Sequence, residues 1–201
     1  MPPPAEPPNH PGSAPVTAGT FRCFSAAEET LRPDELGTLQ RAKMAAMLDD
    51  VLGSNAFYRA KLSHVRFNAR ADPLDRLPFT TRQEVEQDQL AHRPFGTNLS
   101  YPLEKYCRYH QTSGTGGRAV RWLDTPASWL WFQKCWGIIL AAAGVGPGDR
   151  LLFPFSFGPF VGFWAAFESA AALGHLCIPA GGISTASRLR MIQDNGVTVV
   201  C

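Results

Sequence analysis

The sequence has little excess charge of either sign. Its 201 residues carry 19 Lys and Arg against 17 Asp and Glu, a formal net charge of +2. This balance provides neither the basic surface of a nucleic-acid-binding protein nor an acidic tail, and we expect no nucleic-acid partner. Specific contacts with phosphate groups remain possible, because a few well-aimed donors need no net charge.

Cysteine is also scarce. The five cysteines are Cys23, Cys107, Cys135, Cys177 and Cys201, an odd number without a C-x-x-C pair. The first residues lack the basic start and apolar core of a secretory signal, so we expect free thiols and a reducing, cytoplasmic location. No spacing of Cys and His matches a zinc site, and we predict no metal held by these side chains.

No uninterrupted apolar run reaches the roughly 20 residues that a membrane-spanning helix requires. Two stretches come near this length, and polar or proline residues interrupt both. The interruptions are Gln133 and Lys134 in 129–143, and Pro154, Pro159 and Glu168 in 151–173. Both stretches are typical of buried elements in a globular core, and we expect no membrane association.

The N-terminal third combines a Pro-rich segment with helical patterns. Residues 1–20 are rich in Pro, Ala and Gly, which predicts a disordered tail. From Asp34 to Val51, Leu, Met and Val recur at helical spacing. "NAFYRAKL" predicts a short second helix, and Thr81 with Glu84 has the spacing of a capping box at the start of a third.

Strands and helices alternate in the rest of the chain. "KYCRYHQ" and "AVRWLD" are typical of strands, and a helix is predicted over 126–143. The strands "RLLFPF", "HLCIPA" and "VTVVC" follow, separated by two further helical segments. This order predicts an α/β fold with parallel-sheet βαβ units and an N-terminal helical region. The chain stops inside an apolar strand, so we expect the front part of a longer domain.

The most flexible stretch lies between the first two strands. It consists of Thr112, Ser113, Gly114, Thr115, Gly116, Gly117 and Arg118. Glycine N–H groups can form an anion-binding nest, hydroxyl groups can donate to phosphate oxygens, and arginine adds a charge-assisted bond. These features indicate a polyphosphate site, although a plain hairpin loop has a similar composition. The P-loop pattern is absent, and no helix follows as the dinucleotide fingerprint requires.

"TSGTGGRA" resembles the phosphate loop of the adenylate-forming enzymes, usually written S-S-G-T-T-G-K-P. Six other segments follow the order and spacing of the phenylacetate–CoA ligase branch: "NAFYRAKL", "LPFTTRQEV", "RPFGTNL", "AAAGVGPGDRLLF", "IPAGG" and "RLRMIQDNGVTVVC". The resemblance covers 34–201 and implies the N-terminal part of an adenylation domain. Gly116, Arg118 and Ala119 depart from the usual Thr, Lys and Pro, which predicts weakened ATP binding.

The resemblance implies ATP-dependent activation of a carboxylic acid to an acyl-adenylate, followed by transfer to coenzyme A. ATP, Mg²⁺ and coenzyme A are the implied cofactors, a small-molecule acid is the implied partner, and a homodimer is a further candidate. The family's adenine-binding segment, ribose-binding acid and C-terminal lysine domain fall after position 201. We therefore expect the chain alone to be inactive, and we assign no catalytic residue.

The resemblance also places an acyl pocket near "FPFSFGPFVGF". Phe157 and Phe160 are its predicted walls, and Gly158 lets the substrate approach. Aromatic walls suit an aryl or other apolar acid, although plain core packing explains the rings equally well. Gly181 and Gly182 follow a strand end, where α/β sheets place ligands, and a simple turn is the alternative.

Two polar residues near these segments have open roles. His110 is expected to be structural or to steer phosphate, and Glu168 to help bind magnesium or to pair with a cation. Two other functions also remain open for the whole chain. One is a non-catalytic relative that binds a nucleotide or an acyl group, and the other is an enzyme that loads the acid onto a carrier protein.

Overall fold

The computed structural model describes residues 17–18, 21–114 and 117–201, with side chains from Cys23 onward. The predicted tail, 1–20, lies outside these residues except for Thr17–Ala18, which form strand β1. Strand β2 (Phe21–Arg22) pairs with β1 in antiparallel orientation. The sequence pattern does not indicate this short ribbon.

A helical region precedes the sheet, as predicted. Its helices are α1 (Ala26–Glu29), α2 (Pro33–Ser54), α3 (Ala56–Lys61) and α4 (Arg82–Ala91), with 3₁₀ turns at Leu74–Arg76 and Leu103–Lys105. Asn55 ends α2 and caps α3, because its side-chain oxygen accepts a hydrogen bond from the Tyr58 N–H at 3.1 Å. The capping box of α4 is also present, with the Thr81 N–H donating to the Glu84 carboxylate at 2.7 Å.

The remaining elements confirm the α/β prediction. They are β3 (Arg108–Gln111), β4 (Arg121–Asp124), α5 (Pro126–Ala142), β5 (Arg150–Phe153), α6 (Val161–Ala172), β6 (Leu176–Pro179), α7 (Thr185–Asp194) and β7 (Val199–Val200). Strands β3 and β4 form an antiparallel hairpin. Strand β5 lies between β6 and β7 and is parallel to both, as expected for consecutive βαβ units.

The hydrophobic core lies on the central strand. Leu151, Leu152 and Phe153 of β5 are at most 1% exposed. Leu140 of α5 and residues of α6 such as Ala170 are buried in the same cluster as Leu151 and Phe153. The continuous apolar sequence of β5 follows from this position, because neighbouring strands and helices leave it no solvent-facing side.

The composition of the chain led to expectations about free thiols, metal-binding side chains and membrane-spanning helices. All five cysteines are free thiols. Among residues 17–18, 21–114 and 117–201, no cluster of three His, Cys, Asp or Glu side chains is placed to hold a metal ion. No helix in that part of the chain has both the length and the apolar character needed to cross a bilayer.

Replacing Phe153 by Ala should strongly destabilise the fold. Its ring is fully buried and lies 5.1 Å from the Phe167 ring and 6.0 Å from the Phe155 ring, so removing it leaves a cavity. We expect a loss of about 3–5 kcal/mol in the free energy of unfolding, measured by urea denaturation. Phe79→Ala is the matched control, since Phe79 is 89% exposed. Equal effects of the two substitutions would contradict the assignment of β5 to the core.

Candidate functional site

The glycine loop connects β3 to β4 and is closed at its base. The Thr112 N–H donates to the Val120 carbonyl at 2.9 Å, and the Val120 N–H donates to Thr112 Oγ1 at 3.0 Å. The loop therefore is a hairpin connection, as the alternative interpretation of its composition stated. A hairpin connection and a phosphate-binding loop are compatible, since the narrow base leaves Ser113, Gly114, Gly117 and Arg118 outside the two strands.

Within the loop, backbone geometry requires glycine at one position. Gly114 has φ of +74°, and a Cβ there would lie 3.2 Å from the Ala119 nitrogen. The Gly117 N–H donates to the Gly114 carbonyl at 3.0 Å. Ser113, Gly117 and Arg118 are exposed, whereas the predicted ligands Thr115 and Gly116 lie outside the described residues.

The aromatic segment predicted to form the acyl pocket lies directly beside the hairpin. The Gln111 N–H, one residue before the glycine loop, donates to the Pro159 carbonyl at 2.9 Å. Phe157 is half-buried and packs against Trp164 and Phe167, with ring centroids 4.7 Å and 5.1 Å away. Phe160 is 36% exposed. Phe157 is therefore continuous with the core, while Phe160 reaches the surface.

Gly181 and Gly182 lie in a third segment, immediately after β6. The Ala180 N–H donates to the Phe153 carbonyl at 2.9 Å, which extends the pairing of β5 and β6. A Cβ at Gly181 would lie only 2.4 Å from the Phe155 carbonyl oxygen, so the two segments touch backbone to backbone. The space around Gly182 is open, and its φ is +73°.

The three predicted segments therefore form one chain of contacts. Gln111 directly precedes the glycine loop, and its N–H donates to the Pro159 carbonyl of the aromatic segment. The Phe155 carbonyl of the same segment packs against Gly181. The second and third segments begin where β5 and β6 end, at Phe153 and Pro179. Open α/β sheets bind ligands at the carboxyl ends of their strands, which makes this edge the candidate site.

His110 is buried below the loop and does not reach its surface. It is 3% exposed and stacks on Trp129 with ring centroids 5.4 Å apart. Neither ring nitrogen has a hydrogen-bond partner, and Nε2 lies 3.7 Å from the Asp124 carboxylate. Burial lowers the pKa of His110, and Asp124 opposes this shift without cancelling it. Burial therefore favours the neutral form of the imidazole.

Glu168 pairs with a cation, which was one of its two expected roles. Its Oε2 accepts hydrogen bonds from Arg108 Nη2 at 2.5 Å and from Trp129 Nε1 at 2.9 Å. These contacts join β3, α5 and α6 below the candidate site. The carboxylate thus contributes to the support of the site.

Helix α4 supplies contacts that the sequence analysis missed. Gln89 is 7% exposed and bonds the backbone of Arg121 through both ends of its amide group. Arg82 Nη2 donates to the Arg118 carbonyl at 2.8 Å. One available signal was the position of Gln89 four residues after Val85, which places a polar amide on the buried face of an amphipathic helix.

Comparison with known proteins identifies relatives of the chain. No protein-family model matches it. The phenylacetate–coenzyme A ligase of Thermus thermophilus is 30% identical over 170 residues, which are 83% of this chain and 37% of that ligase. The Escherichia coli ligase of the same name is 28% identical over 170 residues, covering 83% of this chain and 38% of the ligase. The chain is therefore similar in sequence to phenylacetate–coenzyme A ligases over most of its own length. It spans less than two-fifths of the length of these ligases.

Solved structures show the same fold. A 2-hydroxyisobutyryl-CoA ligase in an open conformation, in complex with 2-HIB-AMP and CoA, superposes with a TM-score of 0.76 at 22% identity. The same ligase in its thioesterification state gives 0.78 at 23% identity. The matches cover 94% of this chain and 43% and 40% of the solved chains. At such low identity they establish the fold alone.

The buried His110 should make the stability of the chain depend on pH. Its folded pKa lies below the unfolded value of about 6.5, so the folded state binds fewer protons. The contribution of His110 to the free energy of unfolding should therefore level off above that value and fall as the pH drops through it toward the folded pKa. His110→Phe keeps a ring on Trp129 and should reduce this loss between about pH 7.5 and 5.5. His64→Phe, at an exposed position, is the control. An unchanged slope in His110→Phe would refute the assignment.

Gly181→Ala should separate the segment after β6 from the aromatic segment. The added methyl group would meet the Phe155 carbonyl, which belongs to the backbone and cannot rotate away. We expect a loss of about 1–3 kcal/mol in the free energy of unfolding. Gly162→Ala, inside α6 with nothing within 4 Å of the new Cβ, should be neutral or stabilising. The prediction fails if Gly181→Ala unfolds at the same denaturant concentration as the native chain.

Proposed function

We propose that this chain provides the phosphate-binding and acid-binding part of an ATP-dependent carboxylic acid–coenzyme A ligase. In the first step the acid's carboxylate attacks the α-phosphorus of ATP, giving an acyl-adenylate and pyrophosphate. In the second step the thiol of coenzyme A attacks the acyl carbon, and AMP leaves. The observation that carries this proposal is the chain of backbone contacts from Gln111, next to the glycine loop, to Pro159 of the aromatic segment and from Phe155 to Gly181.

The glycine loop is proposed to hold the β- and γ-phosphates of ATP. Gly114 in its left-handed conformation, with its carbonyl bonded by the Gly117 N–H, provides backbone without side chains that a phosphate group can approach closely. The exposed guanidinium of Arg118 adds positive charge at the end of the loop. Because the net charge of the chain is only +2, the affinity for ATP depends on the groups of this loop more than on the electrostatic field of the whole chain.

Mg²⁺ is proposed as the cation that accompanies ATP. Its chemistry is to neutralise the charge on the phosphate oxygens and to polarise them. Hydroxyl and backbone groups of the glycine loop fit phosphates that carry such a cation, since they add no competing negative charge. Glu168 is not part of this proposal, because its Oε2 already accepts bonds from Arg108 and Trp129.

An aryl or other apolar acid is the proposed substrate class. Phe160 supplies an exposed aromatic surface, and Phe157 anchors the same segment to the core. Gly158 has φ of +51°, which allows the chain to turn between the two rings. The bond between Gln111 and Pro159 keeps this surface close to the glycine loop, as attack on an ATP phosphate requires.

Comparison with relatives supports the reaction type. Two curated relatives are named phenylacetate–coenzyme A ligases, and the similar solved ligase was captured with 2-HIB-AMP and CoA. The whole reaction is proposed for a protein that also contains the parts absent from this chain. A reducing, cytoplasmic location and a homodimer stay predictions.

Arg118→Ala should weaken the binding of inorganic pyrophosphate. The substitution removes an exposed charge from the loop without touching the core, so the fold should be unaffected. We expect Kd, measured by calorimetry in the presence of Mg²⁺, to rise about tenfold. Arg70→Ala removes an equal charge from an exposed position in the segment after α3 and should leave Kd unchanged. If both variants bind like the native chain, the loop does not hold phosphate.

A further inference from the structure

Gln89 occupies a position that a neighbouring strand would normally fill. Its side-chain Nε2 donates to the Arg121 carbonyl at 2.7 Å, and its Oε1 accepts from the Arg121 N–H at 3.0 Å. Arg121 is opposite Gln111 in the hairpin, between the pairs Thr112–Val120 and His110–Trp122. In an antiparallel pair, the residue between two hydrogen-bonded pairs turns its N–H and carbonyl outward. Gln89 satisfies both groups from helix α4.

Two further hydrogen bonds hold the part of the loop that leads into β4. Arg82 donates to the Arg118 carbonyl at 2.8 Å, and Arg121 Nη1 donates to the Pro94 carbonyl at 2.7 Å. The residues after the glycine turn, 118–121, are thus held at both ends by α4 and the segment that follows it. The part of the loop that follows β3 is held by the two hydrogen bonds between Thr112 and Val120.

Helix α4 is itself fixed at both ends. The Thr81–Glu84 capping box holds its first turn, and Lys61 of α3 forms an ion pair with Glu84. Near its last turn, the Asp88 carboxylate accepts bonds from the N–H and hydroxyl of Thr97. A side chain of this helix that bonds to the hairpin therefore holds the hairpin in a defined position.

We propose that Gln89 is a positioning residue for the phosphate-binding loop. The inference rests on the proposed function of that loop. By hydrogen bonding Arg121, Gln89 keeps residues 117–121, with the Arg118 side chain among them, in one arrangement before the ligand arrives. Without these two hydrogen bonds, the loop becomes ordered only when phosphate binds. The conformational entropy lost at that moment lowers the affinity for phosphate.

The direct test compares Gln89→Leu with Gln87→Leu in the full chain. The first removes both bonds at nearly constant side-chain size, and the second makes the same change at an exposed position of the same helix. We expect the Kd for inorganic pyrophosphate with Mg²⁺ to rise about tenfold in Gln89→Leu and to stay unchanged in Gln87→Leu. Hydrogen exchange of the Arg121 amide should accelerate by a similar factor in Gln89→Leu alone.

A second variant guards against a loss of folding. Gln89→Asn retains the amide but is one methylene shorter, so it cannot span the gap to both groups of Arg121. It should weaken pyrophosphate binding as Gln89→Leu does, measured well below its melting temperature, where the variant is folded. A purely structural role would lower the melting temperature without changing Kd in the folded variants.

The outcomes separate the two proposals. If the native chain binds pyrophosphate and the Gln89 variants bind equally well, Gln89 does not position the loop, and the proposed function stands. If the native chain does not bind pyrophosphate, the proposed function of the loop fails and the inference fails with it. Unchanged protection of the Arg121 amide in Gln89→Leu would overturn the inference even where affinity changes.

Discussion

Burial of strand β5 is the constraint on which the rest of the structure depends. Leu151, Leu152 and Phe153 are almost fully buried, and parallel strands occupy both edges of β5. An apolar strand in this position needs helices on its faces, and α5 and α6 supply the buried residues that pack on it. The end of β5 at Phe153 then fixes where the aromatic segment begins, and with it the edge of the sheet where the candidate site lies.

The candidate site is assembled from backbone contacts more than from side chains. The hydrogen bond between Gln111 and Pro159 joins the hairpin to the aromatic segment, and Gly181 packs directly on the Phe155 carbonyl. Such contacts tolerate little displacement, since backbone atoms cannot rotate away as side chains do. Loops supported in this way on a rigid sheet can present groups to a ligand with little ordering on binding.

Below the site, a polar cluster connects the hairpin to the core. Arg108, Glu168 and Trp129 link β3, α6 and α5 through one carboxylate oxygen. The cluster is incompletely satisfied, because Arg108 Nε and both nitrogens of His110 lack hydrogen-bond partners. Partly satisfied polar groups stabilise a fold less than apolar packing of the same size. The cluster therefore sets the orientation of the hairpin at some cost in stability.

The sequence by itself determined the fold class and most of its longer elements. Apolar periodicity, the Thr81–Glu84 capping box and the strand–helix alternation predicted the helical region and the parallel sheet, because these signals are local. The glycine loop was recognisable by composition, although its role as a phosphate site stays a prediction. Tertiary structure alone decided the pairing of β1 with β2 and the two hydrogen bonds between the Gln89 side chain and the Arg121 backbone. Both depend on which segments meet in space, and a single glutamine or a two-residue strand has no periodicity from which such a meeting can be inferred.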